Sequence, residues 1–237
     1  MFVGADGCRA GWFTVLLDET DNWEVNLFSD ISSLWNRYSN VTVILIDIPI
    51  GLSESGEGRK CDKEARPLLG ARRGSSLFKI PSRSAVYADT YEEAKHLNRQ
   101  VTGKKLSIQT WNIIPKIREV DMFLSANLDA RSLIKESHPE ICFWALTGHP
   151  MKYSKKKLEG FSERIQILQS ALYSTNSIVK QALSNYPRNK VTKDDILDAL
   201  SLAVTAKLGI QHGFISIPEI SEYDSHGLPM NIVYSLP

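Results

Sequence analysis

Four aspartates set the chemistry open to this chain of 237 residues: Asp6, Asp47, Asp195 and Asp198. Asp6 lies in Phe2-Val3-Gly4-Ala5-Asp6-Gly7-Cys8, and Asp47 closes the apolar run Val41-Thr42-Val43-Ile44-Leu45-Ile46. A carboxylate on a buried strand is costly to desolvate unless a metal, an arginine or a proton meets it. Asp195 and Asp198 stand three apart in Asp194-Asp195-Ile196-Leu197-Asp198, so on a helix they share one face. Brought to one place, the four acids repel one another and suit hard divalent cations bound through oxygen, which implies magnesium or manganese. Two such ions roughly 4 Å apart activate a water and stabilise the leaving oxygen of a phosphodiester. Local roles compete with this reading. Asp6-Gly7 suits the opening of a turn, Asp47 a turn before Pro49, and Asp195 the N3 place of a capping box begun by Thr192. Asp198, in the second helical turn beside the apolar stripe, has no such local use.

Two further groups carry chemistry. Glu136 and His138 in Ile134-Lys135-Glu136-Ser137-His138-Pro139-Glu140 differ by two, so on a strand they face one way and are candidate accessory residues. A histidine before a proline equally suits a structural hydrogen bond, and Glu140 suits the start of the following helix. Between Arg59 and Arg83 the chain is locally basic, with Arg59, Arg66, Arg72, Arg73, Lys79 and Arg83 as candidate contacts to a nucleic-acid backbone. A solvated charged loop explains the same run. A second basic cluster, Lys152, Lys155, Lys156 and Lys157, precedes a long apolar stripe.

The elements that position these residues follow from pattern. Residues 2–8 and 11–17 form a hairpin of β-branched and aromatic residues, and Trp23-Glu24-Val25-Asn26-Leu27-Phe28 alternates like a third strand. Ser29 or Asp30 caps a short helix through Leu34, Trp35 and Tyr38. The unbroken apolar run ending at Asp47 is a central strand covered on both faces, and a right-handed crossover lays it parallel beside the first strand. Asp6 and Asp47 then become neighbours. Residues from 52 to about 130 are read as a long insertion, irregular at first, with helices opened by Thr90 and by Ser107. A strand over 132–138, a helix from Ile141, a long helix bearing Phe161, Ile165, Leu168, Leu172, Val179 and Leu183, and a helix from Thr192 complete the core. The tail is expected to add an edge strand.

Composition narrows the class. With 28 basic and 27 acidic side chains, no global charge draws the protein to nucleic acid or membrane, so any such attraction is local. Cys8, Cys61 and Cys142 are odd in number and lack C-x-x-C spacing, which suits a reducing cytosol and suggests neither a disulfide framework nor a zinc site. No apolar run approaches the roughly 18 residues of a membrane span, and the start lacks a signal-like pattern.

The words Gly4-Ala5-Asp6-Gly7-Cys8-Arg9-Ala10-Gly11-Trp12, Ile46-Asp47-Ile48-Pro49-Ile50-Gly51, Arg59-x-Cys61-Asp62-x-Glu64-Ala65-Arg66, Pro115-Lys116-Ile117-Arg118-Glu119-Val120-Asp121, His138-Pro139-Glu140 and Asp194-Asp195-Ile196-Leu197-Asp198-Ala199 run through nearly the whole chain. As a set they resemble an uncharacterised family of predicted RNase H-like nucleases, domain of unknown function 429, related to RuvC-type nucleases. The resemblance implies an α/β fold with an RNase H-like mixed sheet, three antiparallel strands and then parallel ones, flanked by helices in a single domain over 1–237. It matches Asp6, Asp47, Asp195 and Asp198 to the metal-binding acids of that fold, although RuvC-type enzymes usually carry Glu at the place of Asp47. The function expected is a divalent-metal-dependent nuclease or phosphodiesterase. Two rivals stay open. The Asp6-Gly7-Cys8-Arg9-Ala10-Gly11 hairpin also resembles the phosphate-holding turn of actin-like and sugar kinases, which implies ATP-dependent phosphotransfer, and a non-catalytic anion- or partner-binding module would keep the same fold.

Overall fold

The computed structural model describes all residues, Met1 to Pro237. Its centre is a five-stranded mixed sheet in the order β3-β2-β1-β4-β5, formed by β1 (Phe2–Cys8), β2 (Gly11–Leu17), β3 (Trp23–Phe28), β4 (Val43–Ile46) and β5 (Ile134–Glu136). β1, β2 and β3 are antiparallel neighbours, while β4 runs parallel to β1 and β5 parallel to β4. The crossover to β4 is α1 (Ile31–Tyr38), whose first turn is capped by the Asp30 carboxylate accepting from the Ser33 amide at 2.8 Å. Register places Ala5 opposite Ile46, so Asp6 and Asp47 emerge side by side at the same end of the sheet.

Between β4 and β5 the chain builds α2 (Lys60–Leu68), α3 (Gly70–Arg73), a 3-10 turn at Gly74–Ser76, α4 (Arg83–Val86), α5 (Tyr91–Thr102), α6 (Ile108–Ala126) and α7 (Leu128–Leu133). The stretch expected to be irregular is therefore largely helical. After β5 come α8 (Pro139–Thr147), α9 (Leu158–Ala171), α10 (Thr175–Asn185) and α11 (Lys193–His212). Strand alternation divides the core between the two faces of the sheet. Val3, Ala5, Ile44 and Ile46 pack against α1, α4, α6 and α7, whereas Phe2, Val43 and Leu45 pack against α8 to α11. Asp6 and Asp47 share the parity of the second set and so face α11. That helix lies unusually near the sheet: a Cβ on Gly4 would meet the Ala199 carbonyl oxygen at 2.1 Å and the Ala203 amide at 2.3 Å. Only glycine on β1 and the alanine face of α11 allow this approach, and the approach brings Asp198 down to the strand ends.

Three expectations need correction. The strand over 132–138 shortens to Ile134–Glu136, because β4 offers only Ile44, Leu45 and Ile46 to pair with it, and Leu133 ends a helix instead. The long stripe from Phe161 to Leu183 breaks into α9 and α10 at Leu172, which is extended and whose carbonyl accepts from Thr175 Oγ1 at 2.7 Å. Ser, Thr and Asn in 174–177 compete locally for backbone bonds and stop the helix. The tail adds no edge to the main sheet but folds into its own hairpin of β6 (Ile215–Tyr223) and β7 (Pro229–Tyr234). No helix is long and apolar enough to cross a membrane.

Candidate metal centre

Three remote segments deliver one acid each to a single point. Asp6 comes from the end of β1, Asp47 from the residue after β4, and Asp198 from the second turn of α11; one carboxylate oxygen of each lies within 4.8 Å of the others. Asp6 and Asp198 are buried, with 6% and 3% of their surface exposed, and Asp47 is half-buried. The backbone of Asp47 is fixed by its amide donating to the Ala5 carbonyl at 3.0 Å.

The electrostatics are those of anions held together without enough counter-charge. Burial, then the carboxylates of Asp198, Asp47 and Asp195, raise the Asp6 pKa well above the usual range, against a smaller opposing effect of Lys155. Burial and Asp198 push Asp47 up to about 7, with Lys155 and a hydrogen bond to Asp6 pulling the other way. Lys155 is the one ammonium in contact, donating to Asp198 at 2.5 Å. Burial works against its charge, but Asp198 and Asp6 outweigh burial and hold it protonated. The donor set is oxygen-only, acidic and convergent, and it could hold a metal ion.

The sequence profile of a family described as "Protein of unknown function (DUF429)" matches residues 4–222, a span that contains all three acids. The chain belongs to that family. No curated protein and no solved structure matches it.

In this DUF429 protein Asp195 stands apart from the three converging acids. Its carboxylate accepts from the Thr192 amide at 2.7 Å while Thr192 Oγ1 accepts from the Asp195 amide at 3.3 Å, a complete capping box. It still lines the same cavity of about 690 Å³ as Asp6, Asp47 and Asp198, along with Arg9 and Lys116. Glu136 lies outside the acid cluster and lines the adjoining cavity that Asp47 and Lys155 also line, with its carboxylate engaged: it accepts from the Ile50 amide at 2.7 Å and from both terminal nitrogens of Arg59, at 2.8 and 2.5 Å. His138 lines that cavity too and caps α8, its Nδ1 accepting from the Glu140 amide at 3.2 Å, and burial lowers its pKa from the ordinary value.

The basic run divides. Arg59 is buried between Glu136 and Asp62, and Arg83 is buried among Asp121, Asp224 and Glu54. Both are engaged in the interior, tying the insertion to β5 and to the β6–β7 hairpin. Arg72 and Lys79 are exposed and Arg66 and Arg73 half-buried. Arg72 and Arg73 line a second cavity of about 500 Å³ that shares Asp47 and Lys155 with the first, so the acids lie where two cavities join. Lys155 joins the site although nothing in the order of residues singles it out. Its only sequence signal is membership of the 152–157 basic cluster.

Proposed function

We propose that this protein is a divalent-metal-dependent phosphodiester hydrolase acting on nucleic acid. The observation that carries the reading is the meeting of Asp6, Asp47 and Asp198 within 4.8 Å where two cavities join whose linings include Arg9, Arg72, Arg73, Lys116 and Lys155. The three carboxylates would hold magnesium or manganese, whose charge polarises a phosphoryl oxygen and favours ionisation of water. The remaining steps belong to the chain. Lys155 orients Asp198 through its 2.5 Å hydrogen bond and also lines the neighbouring cavity, where its positive charge favours a non-bridging phosphate oxygen. Arg72 and Arg73 on one side, and Arg9 and Lys116 on the other, offset the charge of an entering phosphate that would otherwise meet three acids. Half-burial of Asp47 leaves the acid cluster accessible from the cleft, as a hydrolytic water requires.

The test is hydrolysis of bis(p-nitrophenyl) phosphate and of a labelled oligonucleotide with manganese, compared between wild type and Asp198→Asn. Turnover should require the metal and should fall at least about a hundredfold in the variant, the scale on which changes at a metal site act. Activity that persists in EDTA, or that survives Asp198→Asn, would overturn the reading.

A further inference from the structure

Beyond the acid cleft the insertion holds a third cavity, of about 300 Å³, lined by Lys63 and Arg66 from α2, by Lys79, and by Lys104 and Lys105 from the loop between α5 and α6. It adjoins the cavities already described. Asp62, Phe78 and Ile80 line both this cavity and the one holding Arg72 and Arg73, which in turn shares Asp47 and Lys155 with the acid cluster. The three cavities therefore adjoin in succession, each sharing wall residues with the next.

Glu57 also lines this cavity, but the cations there outnumber the acids. Lys79, Lys104 and Lys105 take part in none of the ion pairs of the molecule. Lys63 reaches Glu57 only at 3.9 Å, and Arg66 donates from one nitrogen to the Gly74 carbonyl. By contrast the acid in the shared wall, Asp62, is already bonded twice by Arg59, at 3.1 and 2.9 Å. The lobe therefore presents free cations to whatever enters it. Phe78, half-buried, stands at the boundary between the two outer cavities, and no aromatic side chain stacks on its ring.

We propose that these cavities form a track for a single-stranded polynucleotide, with backbone phosphates in the Lys79, Lys104 and Lys105 lobe and an unpaired base against Phe78. A basic groove interrupted by an aromatic face is the combination that binds single strands without reading sequence. A duplex keeps its bases stacked inside and cannot offer one to a ring in a recess. The track rests on the hydrolase reading for its purpose, since it directs a strand toward Asp47, but not for its chemistry, which is phosphate and base recognition alone.

The experiment is fluorescence anisotropy of the full chain with labelled oligo-dT and oligo-U of about a dozen nucleotides, a length on the scale of such sites. It is run in EDTA across a range of salt, with circular dichroism checking that each variant is folded. The wild type should bind single strands more tightly than a duplex of equal length, with affinity falling as salt rises. Lys79→Ala/Lys105→Ala should flatten the slope of log affinity against log salt by about 1.4, that is about 0.7 for each phosphate that no longer meets a lysine. Phe78→Ala should weaken binding about fivefold or more and leave the slope unchanged. Wild-type affinity and slope in the lysine variant, equal binding of the duplex, or no binding by the wild type would each overturn the track. Strand binding without hydrolysis would remove the hydrolase reading and leave the track standing, and hydrolysis with variants that bind like wild type would do the reverse.

Discussion

Replacing Asp47 by Asn should stabilise the metal-free protein at alkaline pH while weakening its response to metal. The side chains have nearly the same shape, so the change removes charge and leaves packing intact. Asp47 titrates near 7 in the folded chain because of burial and Asp198, whereas an unfolded aspartate titrates near about 3.9. The folded state thus binds the proton more tightly than the unfolded state, and stability falls as pH rises from about 4 to about 7. At about 1.36 kcal/mol per tenfold in proton affinity, the ceiling on this cost is about 4 kcal/mol above pH 7. Half-burial of Asp47 and sharing of a proton with Asp6 bring the expected gain to about 2 kcal/mol, or about 4–8 °C in Tm for a chain of this size. The gain should shrink to about a third at pH 5 and vanish below about pH 4, where both states are protonated. Calorimetric melts in EDTA and in excess manganese, at each pH, measure both effects. Wild type at a metal concentration of about 100 Kd should gain about 2.7 kcal/mol, and Asp47→Asn should gain much less. A variant that melts lower than wild type at pH 8 in EDTA, or that keeps the full manganese gain, would refute the reasoning.

Lys155→Ala should destabilise the metal-free protein by about 1 kcal/mol, the small value reflecting a lysine side chain that is 39% exposed. Manganese should erase that deficit, because the ion supplies the charge that Asp198 is then missing; urea melts with and without the metal would detect it. Gly4→Ala should cost about 3 kcal/mol or more in the same assay, since the new methyl meets the backbone of α11 at 2.1 and 2.3 Å and neither side can yield. Arg59→Ala should cost about 3–5 kcal/mol by leaving Glu136 and Asp62 without their partner, and Glu136→Gln in the same chain should restore part of the loss.

Much of the framework was legible in the chain itself. Unbroken apolarity from Val43 to Ile46 required a strand covered on both faces, and the crossover rule then placed it beside β1, as the pairing of Ala5 with Ile46 bears out. Thr192 and Asp195 spelled out a capping box, and Ser29 or Asp30 a cap for α1, of which the structure uses Asp30, because such bonds close within four residues. The shortened β5 was not legible, since it depends on the length of a partner strand, whereas the break at Leu172 had a local signal in Ser174, Thr175, Asn176 and Ser177 that the apolar stripe running past it masked.

By itself, then, the order of residues determined which acids lie at the ends of buried strands and on the inner face of the last helix, because periodicity and capping act over a few residues. Only the tertiary structure decided who stands beside them. Lys155 reaches Asp198 across 43 positions of sequence, and Arg59 reaches Glu136 across 77. A charge in a basic run looks the same whether it will be desolvated against a carboxylate or left in water. Packing makes that distinction: it buries Arg59 and Arg83, leaves Lys79, Lys104 and Lys105 free, and sets Asp195 to capping its helix while Asp198 joins Asp6 and Asp47.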